Sequence, residues 1–348
     1  MKFVKYIFLI VFLNFFGTLR GQDLHFTYYE MSPLTLNPAL TGAFEGTFRV
    51  GGIYRDQWAS VISNPFRTPS FYVDAPIIRG FGKRDWVGVG AVVFSDQAGK
   101  ANLSNSALLA SVAYHMSLDK KSKNVFTLGV QGGVIQRRID LADAKFEDEL
   151  IAGGNFQSTD RNNINDNTSY VDFSVGAMLK SMINKKTNLT LGLAFNHITT
   201  PNNSLIPSDE NRVESFPDSV SIDDPLNIVF HGLLNTDLSA KWMLSPGIFW
   251  QNKAGANEIM VQTQLGYYLN EKKDIKLNFG LGYRFGDAGL ALVGMDYKNL
   301  RVGASYDINL SSLTEVSNSV GGFEIAVSYI AKIFKTPKVK PVILCPRF

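Results

Sequence analysis

The side chains that could do chemistry are few and scattered. The four histidines, His25, His115, His197 and His231, stand far apart, with no H-x-x-x-H pair and no Cys/His ligand spacing, so the pattern offers no metal site. The single cysteine, Cys345, cannot make a disulfide within the chain. His197 or His231 beside a serine could supply the nucleophile chemistry of a hydrolase, but nothing in their spacing favours that over a structural histidine. The run GLGYRFG, Gly280 to Gly286, has the glycine density of a phosphate-cradling loop. It alternates as a strand, however, so its glycines read as slim packing against something that lies alongside them. The acidic stretch DLADAKFEDEL, residues 140–150, lacks the order of an EF-hand and reads as a short solvated helix. No catalytic residue and no cofactor follows from these types, and the chain reads as a non-enzyme.

The elements that would have to position such groups are strands. In DIKLNFGLGYRF, Ile275, Leu277, Phe279, Leu281, Tyr283 and Phe285 share one face and Lys276, Asn278, Gly280, Gly282 and Arg284 the other. LRVGASYDINL, SYVDFSVGAMLK, TNLTLGLAFN and GGFEIAVSYI repeat the pattern. A soluble two-sheet sandwich also alternates. These segments, though, reach the ~10 residues needed to cross a bilayer at a tilt, and their non-apolar face is rich in Gly, Ser and Asn. Aromatics gather toward segment ends, at Tyr54, Trp58, Trp86, Trp242, Trp250, Tyr267, Tyr268, Tyr283 and Tyr297, as in interfacial girdles. The expectation is an all-β transmembrane outer-membrane β-barrel of about 14 antiparallel strands over residues 46–334.

Connector lengths test the strand count. Long connectors near 139–168, 198–225 and 311–319 follow the fifth, seventh and thirteenth segments, all odd, so they share one end. The connectors after even segments are short and Lys-rich: LDKKSK, INKKT, NEKK and KNL. With the amino terminus in the periplasm, long loops lie outside and short turns inside, the usual outer-membrane arrangement. Arg49, Arg55, Asp172, Lys276, Arg284, Arg301, Asp307 and Glu324 then face the lumen, and their mixed signs predict pairing across it rather than a selectivity ring.

The ends complete the division of the chain. MKFVKYIFLIVFLNFFGTLRG, residues 1–21, has the layout of a signal peptide, with cleavage expected after Gly21. Residues 22–45 form an arm containing MSPLTLNPALTG, whose Pro33 and Pro38 forbid a continuous helix and whose apolar content opposes disorder. An extended, ordered piece is expected there. A barrel of this width cannot fill its lumen with its own side chains, so the arm packs either within it or beneath it. Residues 335–348, KTPKVKPVILCPRF, form a basic, proline-rich periplasmic tail with no acid. A formal charge of +3 gives no reason to expect nucleic acid.

Several of these stretches resemble the PorP/SprF family of type IX secretion outer-membrane proteins of Bacteroidetes. They are DLHFTYYEMSPLTLNPALTG with its N-P-A-x-x-G at Asn37 to Gly42, Y-R-x-Q-W at Tyr54 to Trp58, RIDLADAKFEDE, and the closing CPRF. The resemblance implies a barrel, embedded in outer-membrane lipid, that supports secretion or surface attachment of particular cargo proteins such as gliding adhesins. Its implied partners are cargo carrying a C-terminal sorting domain and the periplasmic ring components of the apparatus. It places partner-binding roles on Asn37, Pro38, Gly42, Tyr54, Arg55, Trp58, Cys345, Pro346, Arg347 and Phe348. The competing reading is an outer-membrane channel for a small or hydrophobic solute, which needs an unobstructed lumen.

Overall fold

In the computed structural model the described residues are 24–333, apart from 60, 62–63, 82–83, 143, 145, 153–156, 159–160, 163, 207–222, 271–272 and 312–313. The expected signal peptide and the tail with Cys345, Pro346, Arg347 and Phe348 lie outside them. The first seven strands are β1 (Phe48–Gln57), β2 (Phe66–Phe81), β3 (Asp85–Ala98), β4 (Leu103–Ser117), β5 (Asn124–Arg138), β6 (Asn167–Met182) and β7 (Thr187–Asn196). The rest are β8 (Asn227–Asp237), β9 (Trp242–Lys253), β10 (Ala256–Tyr268), β11 (Ile275–Arg284), β12 (Ala288–Tyr297), β13 (Leu300–Asn309) and β14 (Val320–Ala331). Every strand pairs antiparallel with its sequence neighbours, and β1 closes on β14 from Phe48↔Ala331 to Gln57↔Gly322. Closure leaves no strand edge, which rules out the sandwich and suits a chain whose backbone must be satisfied in lipid.

Alternation decides which face meets lipid. On β14, Phe323, Ile325, Val327 and Tyr329 are exposed outward, while Glu324 and Ala326 are buried within. Leu281 on β11 is 70% exposed and Arg284, three residues on, 2%. Apolar side chains exposed on this scale around a closed wall form a lipid-facing belt. Among the aromatics expected in girdles, Tyr54, Trp242, Tyr283 and Tyr297 do point outward. Trp86 does not: it shares the lumen face of β3 with Gly88 and donates its indole N–H to Gly42 O at 3.0 Å. Tyr268 likewise lies on the lumen face, its hydroxyl 3.8 Å from Met243 Sδ.

The arm lies inside the barrel, and it is not extended. Residues 29–40 form three single helical turns, Tyr29–Met31, Pro33–Leu36 and Pro38–Leu40. Pro33 and Pro38 each occupy the first turn position, where a missing N–H costs nothing and the fixed φ favours the turn. The prolines therefore break the arm into turns instead of straightening it, and a compact string of turns fills width that an extended chain would leave empty. Phe26, Tyr28, Tyr29, Met31 and Leu36 of the arm join Ile53, Val229, Phe249, Met260 and Leu292 of the wall in one apolar cluster. Leu34 anchors a second with Tyr72, Val92, Ala107, Leu109 and Ile135.

Candidate functional site

The centre of the lumen is organised by Asn37, which is fully buried. Its Oδ1 accepts from Ala39 N at 2.9 Å and so starts the third turn, the usual use of Asn at a helix N-cap. Its Nδ2 donates to Ala177 O of β6 and Leu193 O of β7, 3.2 and 3.3 Å away, and lies 3.2 Å from His231 Nε2 of β8. The approach is this close because the wall carries glycine there. A β-carbon on Gly176 would sit 3.0 Å from Asn37 Cγ, and one on Gly129 would meet the Pro38 backbone at 2.5 Å. On the other side of the lumen Gly303 makes room for the Tyr28 ring, where an added β-carbon would come within 2.7 Å.

Toward the long-connector end, a network of charges grips the start of the arm. Glu324 of β14 accepts from Thr27 N and Tyr28 N at 2.7 and 2.8 Å, from Ser305 Oγ at 3.0 Å and from Arg55 Nη1 at 2.5 Å. Asp307 of β13 accepts from Thr27 Oγ1 at 2.7 Å, and its Oδ2 lies 3.0 Å from both Arg55 Nη2 and Arg284 Nη1. Arg284 Nε is also 3.1 Å from Glu258 Oε1, an ion pair without hydrogen-bond alignment. Arg55, Arg284, Asp307 and Glu324 are all at most 4% exposed. Buried charges of this kind persist only when paired and hydrogen-bonded, as these are.

Toward the short-turn end, a second grip holds the end of the arm. Asp74 of β2 accepts from Gly42 N at 2.7 Å and takes Arg49 in a two-point contact at 2.9 and 2.7 Å, while Arg49 Nη2 also reaches Leu40 O at 3.2 Å. Gly42 has φ +71° and stacks on Gly88 of β3, so close that a β-carbon on Gly88 would lie 2.9 Å from Gly42 Cα. Trp86 and His115 stack at 4.5 Å between centroids, and His115 Nε2 is 2.8 Å from Thr41 O. A carbonyl only accepts, which fixes Nε2 as the protonated nitrogen and leaves Nδ1 to accept from Thr127 Oγ1 at 2.9 Å.

The arm in fact meets all fourteen strands of the barrel. Besides the contacts above, Gln131 of β5 donates to Leu34 O, Ser111 of β4 bonds Thr41, and Gln264 of β10 bonds the Tyr28 hydroxyl. Phe249 of β9 stacks on Tyr29 at 5.6 Å, and Leu290 and Leu292 of β12 share the apolar cluster with Tyr28.

The lumen charges read from the sequence are therefore engaged, but not across an open bore. They pair with neighbouring strands, as Lys276 does with Asp296, or with the arm, as Arg301 does with Glu30 at 3.5 Å. The arm occupies the space that cross-lumen pairs would need. The glycines of GLGYRFG also differ from expectation: Gly280 and Gly282 leave room for Gln262, Gln264 and Leu292 of adjoining strands, not for the arm. Asn37, Pro38 and Gly42 are inside the lumen, Arg55 is inside the charge network, Tyr54 points outward, and Trp58 sits just after β1 with its ring edge-on to Phe66 at 5.3 Å. Glu324, Asp74, Trp86 and the wall glycines Gly88, Gly129 and Gly176 hold the arm without having been singled out. The one available signal was glycine recurring on lumen faces.

Outside the membrane, the long connector after β5 contains the expected short helix, Glu147–Ala152. Glu149 pairs there with Arg161 at 2.6 Å, and Arg161 also donates to Leu141 O and Ala144 O. The Arg161 hydrogen bonds, helped by Ser158 N, hold the Glu149 carboxyl down at about 2. Among the described residues, no group of His, Cys, Asp or Glu is arranged to hold a metal.

Three comparisons place the chain among known proteins. The toluene transporter TbuX of Ralstonia pickettii is similar at 11% identity and TM-score 0.48, over 86% of this chain and 92% of that one. The Pseudomonas putida toluene transporter TodX matches at 12% and 0.48 over 86% and 92%, and the KdgM porin at 7% and 0.36 over 81% and 98%. No curated protein matches the sequence significantly. The family model for the type IX secretion system membrane protein PorP/SprF matches residues 18–329, nearly the whole chain. A closed barrel with a lipid-facing belt and this match together identify the protein as a member of the PorP/SprF family, an outer-membrane component of the type IX secretion system.

Proposed function

We propose that this protein is a non-conducting outer-membrane scaffold that supports secretion or surface attachment of particular cargo proteins, gliding adhesins among them. The observation that carries this reading is the arm, which meets every strand and occupies the lumen a solute would have to cross. With the lumen occupied, the useful surfaces are the outer loops and the periplasmic face, where a cargo sorting domain or a ring component would bind by surface complementarity. Residues 335–348, ending in Cys345, Pro346, Arg347 and Phe348, are proposed as the periplasmic docking element, because a barrel that closes at Ala331 has no further use for their basic and apolar side chains. Asn37, Pro38, Gly42 and Arg55 would serve partners indirectly, by fixing the arm.

The test has two parts. Purified protein in a planar bilayer should show no steady conductance, and a gene deletion should leave one folded cargo trapped inside or released unattached while other substrates of the system reach the surface. A steady open pore, or a deletion that impairs uptake of a nutrient and leaves every surface protein in place, refutes the proposal.

A further inference from the structure

At the long-connector end of the lumen the arm leaves a cavity of about 60 Å³. Phe26, Tyr29 and Leu36 of the arm and Val229 and Phe249 of the wall make its apolar side, and Asp172 of β6 reaches into it from the other. The Asp172 side chain is 3% exposed. Its Oδ2 pairs with His197 Nδ1 at 2.9 Å, but its Oδ1 is buried and has no hydrogen-bond partner. Beyond His197 lies Asp224, 3.6 Å from the same Nδ1 and paired through its other oxygen with Lys253 Nζ at 2.8 Å.

A buried carboxylate oxygen without a donor costs free energy that a ligand can recover. Two carboxylates face one lysine here, with His197 between them, so a donor that also carries positive charge fits better than a neutral one, and an anion is repelled. The aromatic faces of Tyr29 and Phe249 suit a cation's alkyl body as well as its charge. A cavity of about 60 Å³, at ~10–15 Å³ for each water-sized group, accepts roughly four to six heavy atoms. We propose that this cavity binds a primary alkylammonium group, delivered as a free small amine or as a lysine side chain, with the ammonium on Asp172 Oδ1 and the alkyl chain against Leu36 and Phe249.

The experiment uses the purified full-length barrel in detergent, titrated with n-butylammonium, n-butanol and butyrate at constant ionic strength and read by saturation-transfer NMR and calorimetry. Butylammonium should saturate in about the millimolar range, about tenfold or more below n-butanol, and butyrate should not bind. Asp172→Asn should weaken butylammonium about tenfold or more. Should that variant misfold, the charge selectivity of the unmodified protein still decides. Nα-acetyl-lysine methylamide binding as well as butylammonium points to a lysine side chain as the natural occupant, and its exclusion points to a free amine. Equal binding of butylammonium and butanol, or no saturation below about 50 mM, overturns the proposal and leaves a cavity filled by water.

Discussion

Replacing Glu324 by Gln separates the arm from the barrel wall without changing the size of a side chain. Glu324 accepts four donors, two on each carboxylate oxygen: Thr27 N and Arg55 Nη1 on Oε1, Tyr28 N and Ser305 Oγ on Oε2. A glutamine amide must turn its NH₂ toward one of these pairs, where it meets donors and cannot accept. Two hydrogen bonds to a charged acceptor are lost, at ~1.5–3 kcal/mol each, and Arg55 keeps only Asp307 as a charged partner. Removing one member of a buried ion pair costs ~3–5 kcal/mol, and the retained Asp307 contact argues for the lower part of that range. About 3 kcal/mol corresponds to about a hundredfold rise in the population with the arm released. Hydrogen exchange at Thr27 and Tyr28 should accelerate by about that factor, while exchange in the strands stays slow, because the closed ladder does not depend on the arm. Transient current steps should appear in a planar bilayer where the unmodified protein is silent. Unchanged exchange at Thr27 and Tyr28 would show that this network does not hold the arm and would refute the reasoning.

Gly88→Val drives a side chain into Thr41 and Gly42, so the end of the arm should be expelled and digested by added protease while the barrel still inserts; an arm as resistant as before counts against the close packing. For the outer loop, the Glu149 carboxyl is held at about 2 against a usual 4.5, so its contribution is complete above the usual value and is lost as pH falls through about 2. Limited proteolysis of the loop should therefore be constant from neutral pH down to about 4.5 and increase only below it, and loop opening near pH 6 contradicts the Arg161 clamp. Since the barrel has no free edge at which detergent can start unfolding, boiled and unboiled samples should migrate differently on a gel, and identical migration rejects a closed barrel.

The alternation in the sequence carried the wall. Period two is imposed by the pleat itself, so the outward set on β11, β13 and β14 could be read before any pairing was known. Connector parity then fixed the number of strands and which loops share an end, since an antiparallel ladder alternates ends without exception. The side chosen by Trp86 and Tyr268 escaped that reading, because an aromatic near a strand end suits a lipid interface and a plugged mouth equally well until a partner such as Gly42 O is in place. The prolines of MSPLTLNPALTG ruled out a long helix, but they could not choose between an extended arm and a chain of single turns. That choice depends on the width left between opposite walls, and only the closed barrel supplies it. The destination of the arm was undecided for the same reason. Thr27, Asn37 and Gly42 find their partners on strands up to 297 residues away, at Glu324, Ala177 and Asp74, and separations of that kind leave no periodic trace in the chain. Local pattern determined the wall, because strand geometry repeats every two residues; tertiary closure alone decided what fills it, because the contacts that do so are set by which lumen faces end up opposite one another.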